Sequence, residues 1–260
     1  MLVAMTTDFT GYVDISHPEP GTAIWHQVAG EGEPVVLIHG AFSSAADWGG
    51  QFGPCVDAGF RVYAPERHGH GHSADVTEEF HYETMAQETI AYLDEVVGGR
   101  AHLVGWSDGA VIAFLVALQR PDLVDRMVVL GQYLNSAGRA PGGILDTIGD
   151  IDSEIVQFLR ADYAAVSPDG DDHFPVVFDK TNAMIASEPE MDLAELTAVQ
   201  APTLVMQGDH DEVLVEHSLA IVDRLPDGRL AVLPGTHLIP IETPNVVNSV
   251  IINFLRSDPA

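Results

Sequence analysis

Ser107, Asp211 and His237, in that order along the chain, are the residues whose types fit nucleophilic catalysis. A serine hydroxyl attacks carbonyl carbon poorly unless an adjacent base takes its proton, and an imidazole serves as that base only when a third group fixes its tautomer. Ser107 lies in Gly105-Trp106-Ser107-Asp108-Gly109, after an apolar run and before a segment rich in Ala, Val and Leu. That is G-x-S-x-G in a strand-turn-helix context, where a sharp turn pushes the serine out of the backbone. Asp211 lies in Gly208-Asp209-His210-Asp211 and His237 in Gly235-Thr236-His237, each just past an apolar run. The glycine-serine turn alone is also an ordinary way to join a strand to a helix. The three residues together are more specific than any one of them.

For these residues to meet, something must hold the ends of several strands side by side. Short apolar runs bounded by Gly, Pro or Asp alternate with longer segments of helical period, the pattern of a mostly parallel sheet covered by helices on both faces. The predicted strands are 24–28, 35–39, 61–65, 101–106, 127–130, 203–207 and 229–233, with 12–15 as an extra edge strand. The predicted helices are 46–58, 82–97, 109–120, 215–225 and 244–255, several with Pro or Gly at an end. Strand ends of an open parallel sheet face one crevice, so residues far apart in sequence converge there. The alternation breaks from about Asn135 to Leu196, where Gly, Pro and acidic residues interrupt weak helices such as 152–163. An excursion of that length reads as a small helical cap over one α/β domain spanning 1–260.

The residues around these elements resemble the serine-type α/β-hydrolase superfamily over essentially the whole chain outside the cap. His39-Gly40-Ala41-Phe42 is similar to that family's H-G-x loop, Pro65-Glu66-Arg67-His68-Gly69-His70-Gly71-His72-Ser73 to its R-G-x-G-x-S loop, and His237 to Pro244 to its histidine loop, with Glu242 and Pro244 opening the last helix. The elbow GWSDG is similar to that of the valacyclovir-hydrolase-like (biphenyl hydrolase-like) branch. The resemblance implies an α/β-hydrolase fold, Ser107 as nucleophile, His237 as base and Asp211 as orienting acid, the G-x-x-D pattern selecting Asp211 over Asp209. It also implies an oxyanion hole from the backbone N–H groups of Asp108 and Ala41, with Phe42 as the adjacent candidate. Glu66 stands where Asp is commoner, and Ala41 is smaller than the residue often found there.

Other side chains have plainer readings beside these. His39 reads as a structural hydrogen-bonding residue, and His210 and His217 as surface residues flanking the acid loop. His68, His70 and His72 invite a metal, but they coincide with the glycine turn, and no Cys or regularly spaced carboxylate completes a ligand set; no metal or other cofactor is expected. Asp209 bends or caps its own loop. Trp106 packs beneath the elbow, while Phe42, Trp48 and Phe174 are candidates for an apolar pocket. The carboxylate of Asp108 either recognises a substrate cation, pairs with a nearby basic side chain or serves the helix N-terminus. Phe42 and Asp108 are therefore the candidate substrate-binding residues.

Composition narrows the partners. A net charge of −28, from 39 acidic against 11 basic residues, repels phosphate backbones and anionic headgroups, so neither nucleic acid nor a membrane is an expected partner. A small-molecule substrate is, while the oligomeric state is left open. The single Cys55 cannot form an internal disulfide and reads as a small buried hydrophobe. The first ten residues lack a signal-peptide pattern, and the longest apolar run, Ala110 to Leu118, is too short to span a bilayer; a cytoplasmic protein is expected. The leading function is hydrolysis of an ester, lactone or related acyl bond. A cofactor-free perhydrolase or a C–C bond hydrolase would use the same residues, and a binding protein on a hydrolase scaffold would keep them without turnover. Haloalkane and epoxide chemistry is disfavoured, because those branches place a carboxylate where Ser107 stands.

Overall fold

Eight strands form one sheet in a computed structural model that describes residues 8–18, 22–141 and 148–257. Residues 1–7, on which the absence of a signal peptide rests, lie outside the described residues, as do 142–147 of the expected cap. The strands are β1 (Phe9–Ile15), β2 (Thr22–Ala29), β3 (Pro34–Ile38), β4 (Arg61–Pro65), β5 (Ala101–Trp106), β6 (Val124–Leu130), β7 (Thr203–Gly208) and β8 (Gly228–Leu233). Their order across the sheet is β1-β2-β4-β3-β5-β6-β7-β8. β1 and β2 run antiparallel at one edge, and the other six are parallel. A mostly parallel sheet covered by helices on both faces is what the alternating pattern predicts, and the architecture is the α/β-hydrolase fold that the resemblance implies.

Side chains alternate across each strand, which divides the core in two. On one face Val35, Leu37, Val62, Val104 and Leu204 pack with helices α1 (Gly49–Asp57) and α8 (Pro244–Leu255) through Phe52, Cys55, Val247 and Ile251. On the other, Val36, Ile38, Leu103, Met127 and Val205 meet α2 (Tyr82–Tyr92) and α3 (Asp108–Gln119) through Met85, Ile90, Ile112 and Phe114. Burying each such aliphatic side chain contributes about 1.5–3 kcal/mol, which explains why strands apolar on both faces occupy the centre. α6 (Val215–Arg224) lies between β7 and β8, and the short α7 (Ile239–Glu242) precedes α8.

Two predicted helices are refined. Residues 46–58 start as a 3-10 turn, Ala45–Trp48, whose N-terminus is closed by a reciprocal Ser44–Asp47 capping box before α1 begins. Residues 82–97 end as a wider π turn, Leu93–Val97, closed by Gly98 at φ 85°.

Between β6 and β7 the described residues hold α4 (Glu154–Val166), α5 (Phe174–Ser187) and short 3-10 turns, but no strand. Ser153 caps α4 by accepting from the N–H of Val156 at 3.3 Å. α5 carries no helical prediction, because Pro175 reads as a breaker. It sits in the first turn, where a proline N–H would have no partner anyway. This helical excursion is tied to the core by Asp75, which accepts from Lys180 Nζ at 2.9 Å and His173 Nε2 at 2.8 Å. Among the described residues no helix is long and apolar enough to cross a membrane.

Candidate active site

The chain reverses its direction of travel across the sheet at β3: β4 lies on one side of it and β5 on the other. At such a switch point the loops leaving the two strands diverge and open a crevice. Ile38 at the end of β3 stands level with Gly105 in β5. The loop 39–44 and the turn at Ser107 therefore emerge as neighbours.

Ser107 sits at φ 55°, ψ −120°, a left-handed conformation costing on the order of 1–3 kcal/mol for a residue with a side chain. The flanking glycines make the turn sterically feasible. A Cβ on Gly105 would lie 2.2 Å from the carbonyl oxygen of Gly109, and one on Gly109 would lie 2.0 Å from that of Ile38. The strain is held by backbone bonds: the Ser107 N–H donates to Leu130 O at 2.8 Å, and Ser107 O accepts from Ala110 and opens α3.

The loop after β7 delivers Asp211 and the loop after β8 delivers His237. His237 Nδ1 donates to Asp211 Oδ1 at 3.0 Å, and the Asp211 side chain is fully buried. Asp209 does something else. Half exposed, it accepts from the Gly235 N–H at 2.9 Å and pairs with His210, tying the acid loop to the histidine loop. Glu242 pins the other end of that loop by accepting from both the N–H and the hydroxyl of Thr236 at 2.9 Å. Trp106 packs beneath the elbow against Trp48, and its indole N–H donates to the His237 carbonyl at 3.0 Å. Gly131, at φ 57° just past β6, leaves room for the pair; a Cβ there would lie 2.9 Å from His237 Nδ1.

Burial works against the imidazolium of His237, but the hydrogen bond to Asp211 and the charges of Asp211, Glu212 and Asp108 outweigh it, so its pKa lies above the ordinary 6.5. A base must be unprotonated to act, so kcat/KM should rise with pH along a limb centred above that value. Asp211→Asn removes the largest stabilising influence and should move the limb to lower pH. A pH–rate profile of the two proteins checks this; an unmoved limb would assign it to another group.

Ser107 and His237 line one cavity of about 500 Å³ together with Ala41, Phe42, Trp106 and Asp108. Its far wall comes from the helical excursion, including Leu159, Phe174 and Val177, and the Phe42 ring lies 5.9 Å from that of Phe178 and 6.4 Å from that of Phe174. Phe42 and Phe174 thus border the cavity as expected. Trp48 does not: it is fully buried on the opposite side of the sheet, in the core under α1 and α8. His217 is a second correction, since it is buried and its Nε2 accepts from the Leu134 N–H at 3.1 Å. α6 turns that face toward the segment leaving β6, a contact too distant in sequence to read from local pattern. His210 is exposed, as expected.

The histidines of the glycine turn go to three different partners. His68 pairs with Glu88 at 2.5 Å, His70 Nδ1 donates to the His68 carbonyl, and His72 pairs with Glu66. Among the described residues no group of three or more His, Cys, Asp or Glu is placed to hold a metal ion. His39 is the structural residue it was expected to be. Burial holds its imidazole neutral, with Nε2 accepting from the Arg67 N–H and Nδ1 donating to Gly40 O at 2.8 Å. Glu66 is buried and spans the Ala45 and His72 N–H groups, so the longer acid joins two loops.

Asp108 is buried at the start of α3, where Oδ1 accepts from the Tyr82 hydroxyl at 2.6 Å and Oδ2 has no protein partner. Burial pushes its carboxyl up, while the Arg67 cation, the Tyr82 hydroxyl and His237 pull it down; the net direction is upward. Tyr82 gave no sequence signal, and Arg67 was noted only within its motif. Gln132 was also missed: it lies in the cavity wall, is 2% exposed, and neither atom of its amide has a partner.

A profile described as the alpha/beta hydrolase family matches residues 35–250. The chain belongs to that family. It is 28% identical over 269 residues to the 2-hydroxy-6-oxo-6-phenylhexa-2,4-dienoate hydrolase of Comamonas testosteroni, covering 90% of this chain and 91% of the other. It is 27% identical over 270 residues to a non-heme haloperoxidase of Rhodococcus erythropolis, covering 91% and 97%. Among solved structures, a serine hydrolase from the polyaromatic hydrocarbon-degrading bacterium Cycloclasticus zankles superposes with a TM-score of 0.77 at 17% identity, covering 95% and 97%. The chain is thus a hydrolase-fold enzyme with the serine machinery typical of its family.

Proposed function

We propose that the protein hydrolyses a carboxylic ester, lactone or related acyl bond of a largely apolar, uncharged or cationic small molecule, through an acyl-enzyme on Ser107. His237 takes the Ser107 proton as the oxygen attacks, with Asp211 holding the proton-bearing Nδ1 so that Nε2 is the free base. The carbonyl oxygen becomes negative in the tetrahedral intermediate and is met by the N–H groups of Asp108 and Ala41, with Phe42 adjacent. His237 returns its proton to the leaving oxygen, and water, deprotonated by the same imidazole, releases the acid. Chain groups supply every step of this scheme. Residues 135–196 act as the cap that shapes the substrate pocket.

The observation that carries the reading is the buried Asp211–His237 pair at 3.0 Å bordering the cavity that Ser107 enters from its strained turn. The choice of an acyl bond over C–C cleavage rests on charge. The cavity is bordered by Asp47, Asp108, Asp162 and Glu212, and among the described residues no lysine or arginine borders it. A dienoate such as that named for the Comamonas relative is an anion, and here it would meet carboxylates with no lysine or arginine to pair with.

The test is a matched pair of p-nitrophenyl esters, one with a six-carbon alkyl acyl chain and one ending in a carboxylate. The neutral ester should be favoured by roughly 10²-fold or more in kcat/KM, the scale of leaving one charge unpaired. Faster turnover of a dienoate ring-cleavage product than of any ester would overturn the assignment.

A further inference from the structure

Given the proposed oxyanion hole, we propose that Arg67 is a positioning residue that joins its two halves and strengthens the Ala41 donor. Arg67 is 3% exposed, and its guanidinium forks onto two consecutive carbonyls of the loop after β3: Nη1 donates to His39 O at 2.6 Å and Nη2 to Gly40 O at 3.0 Å. The His39 ring adds a second donor to the same Gly40 oxygen, and is itself oriented by the Arg67 backbone N–H. The Gly40 carbonyl and the Ala41 N–H are opposite ends of one planar peptide. Two donors on its oxygen therefore fix the plane, and with it the direction of the Ala41 N–H. A charged donor also draws electron density toward the carbonyl oxygen, which makes the N–H at the other end a stronger donor.

The same cation serves the other half of the hole. Arg67 is the chief positive charge acting on the buried Asp108, whose N–H is the second proposed donor and whose carboxylate opposes an oxyanion beside it. Tyr82 holds that carboxylate from one side at 2.6 Å, and Arg67 offsets its charge from within the protein. An ammonium on the substrate is then unnecessary for Asp108 to be tolerated at the elbow. A guanidinium suits this role better than an ammonium, because its fixed fork reaches two carbonyls at once.

Four proteins test this: wild type, Arg67→Lys, Arg67→Met, and Arg67→Met with Asp108→Asn, the last removing both members of the buried charge pair so that neither is stranded. Each is titrated with an alkyl trifluoromethyl ketone, which becomes an oxyanion-bearing hemiketal on the serine, and with the methyl ketone of equal length, which stays neutral. Arg67→Met should lose roughly 10²-fold in kcat and in trifluoromethyl ketone affinity, the size of losing one oxyanion donor, with KM and methyl ketone affinity nearly unchanged. Arg67→Lys should fall between, keeping the charge but not the fork. The double variant should recover thermal stability and the part of the loss due to the uncompensated Asp108 charge, while keeping the part due to the freed Gly40–Ala41 peptide. Equal losses for both ketones, or an unchanged kcat in a folded variant, would show that Arg67 merely supports the fold. A wild type that turns over esters and is labelled at Ser107, yet shows no preference for the trifluoromethyl ketone, would remove the oxyanion hole and this role while sparing the nucleophile.

Discussion

Ser107→Ala should lower ester kcat/KM by about 10⁴-fold or more, because nucleophile and base act as one unit and loss of either removes most of what the unit contributes. The protein should still fold. Alanine removes one oxygen at the mouth of a cavity, and the turn at φ 55° is held by backbone bonds to Leu130 and Ala110 that do not involve the hydroxyl. Its strain is similar for serine and alanine, so the melting temperature should shift by no more than about 2 °C. Kinetics on a p-nitrophenyl ester beside a thermal melt checks both halves. Near wild-type turnover would remove Ser107 from the chemistry.

The second large effect separates two aspartates two residues apart. Asp211→Asn should cost about 10²- to 10⁴-fold in kcat, because an amide at this position favours the tautomer with its proton on the wrong nitrogen and no longer stabilises the imidazolium. Asp209→Asn keeps an oxygen to accept from the Gly235 N–H, loses only a charge that is half exposed, and should cost less than about tenfold. Steady-state kinetics of the two variants on one ester decides the matter. The reverse ranking would move the acid to Asp209 and contradict the buried pairing of Asp211 with His237.

Much of this site is written locally. The elbow needs Gly105 and Gly109 because backbone from the same turn and from β3 comes within 2.2 Å of where a Cβ would be, so a short motif marks the turn even though part of the crowding comes from β3. The loops carrying Asp211 and His237 follow strands recognisable by their apolar runs, and a parallel sheet converts that succession into spatial convergence. Other features depend on partners remote in sequence. Tyr82 reaches Asp108 across 26 positions, and the Arg67 side chain reaches back 27 and 28 positions to two carbonyls that have no sequence signature. His217 reads as a surface residue flanking the acid loop, but the fold buries it against the Leu134 N–H. Trp48 reads as a pocket aromatic, but the 3-10 turn before α1 points it into the core on the far side of the sheet. α5 is hidden by Pro175, which is a breaker in mid-helix and harmless in the first turn.

The charge of Asp108 shows how the two levels combine. At the sequence level a carboxylate beside a nucleophile needs compensation, from a substrate cation or from the protein. The fold supplies a protein source in Arg67 and Tyr82. The acidic residues bordering the cavity then act on what enters it, which is why the proposed substrate is uncharged or cationic.

The central claim is that Ser107 becomes covalently attached to the acyl group, and the most direct measurement is active-site labelling with an alkyl fluorophosphonate followed by intact-mass analysis and peptide mapping. Folded wild-type protein should gain one adduct, on the peptide carrying Ser107, with ester turnover lost in step, while Ser107→Ala should gain none. An adduct on another residue, or undiminished labelling of Ser107→Ala, would contradict the account, as would a wild type that turns over esters and takes up no label.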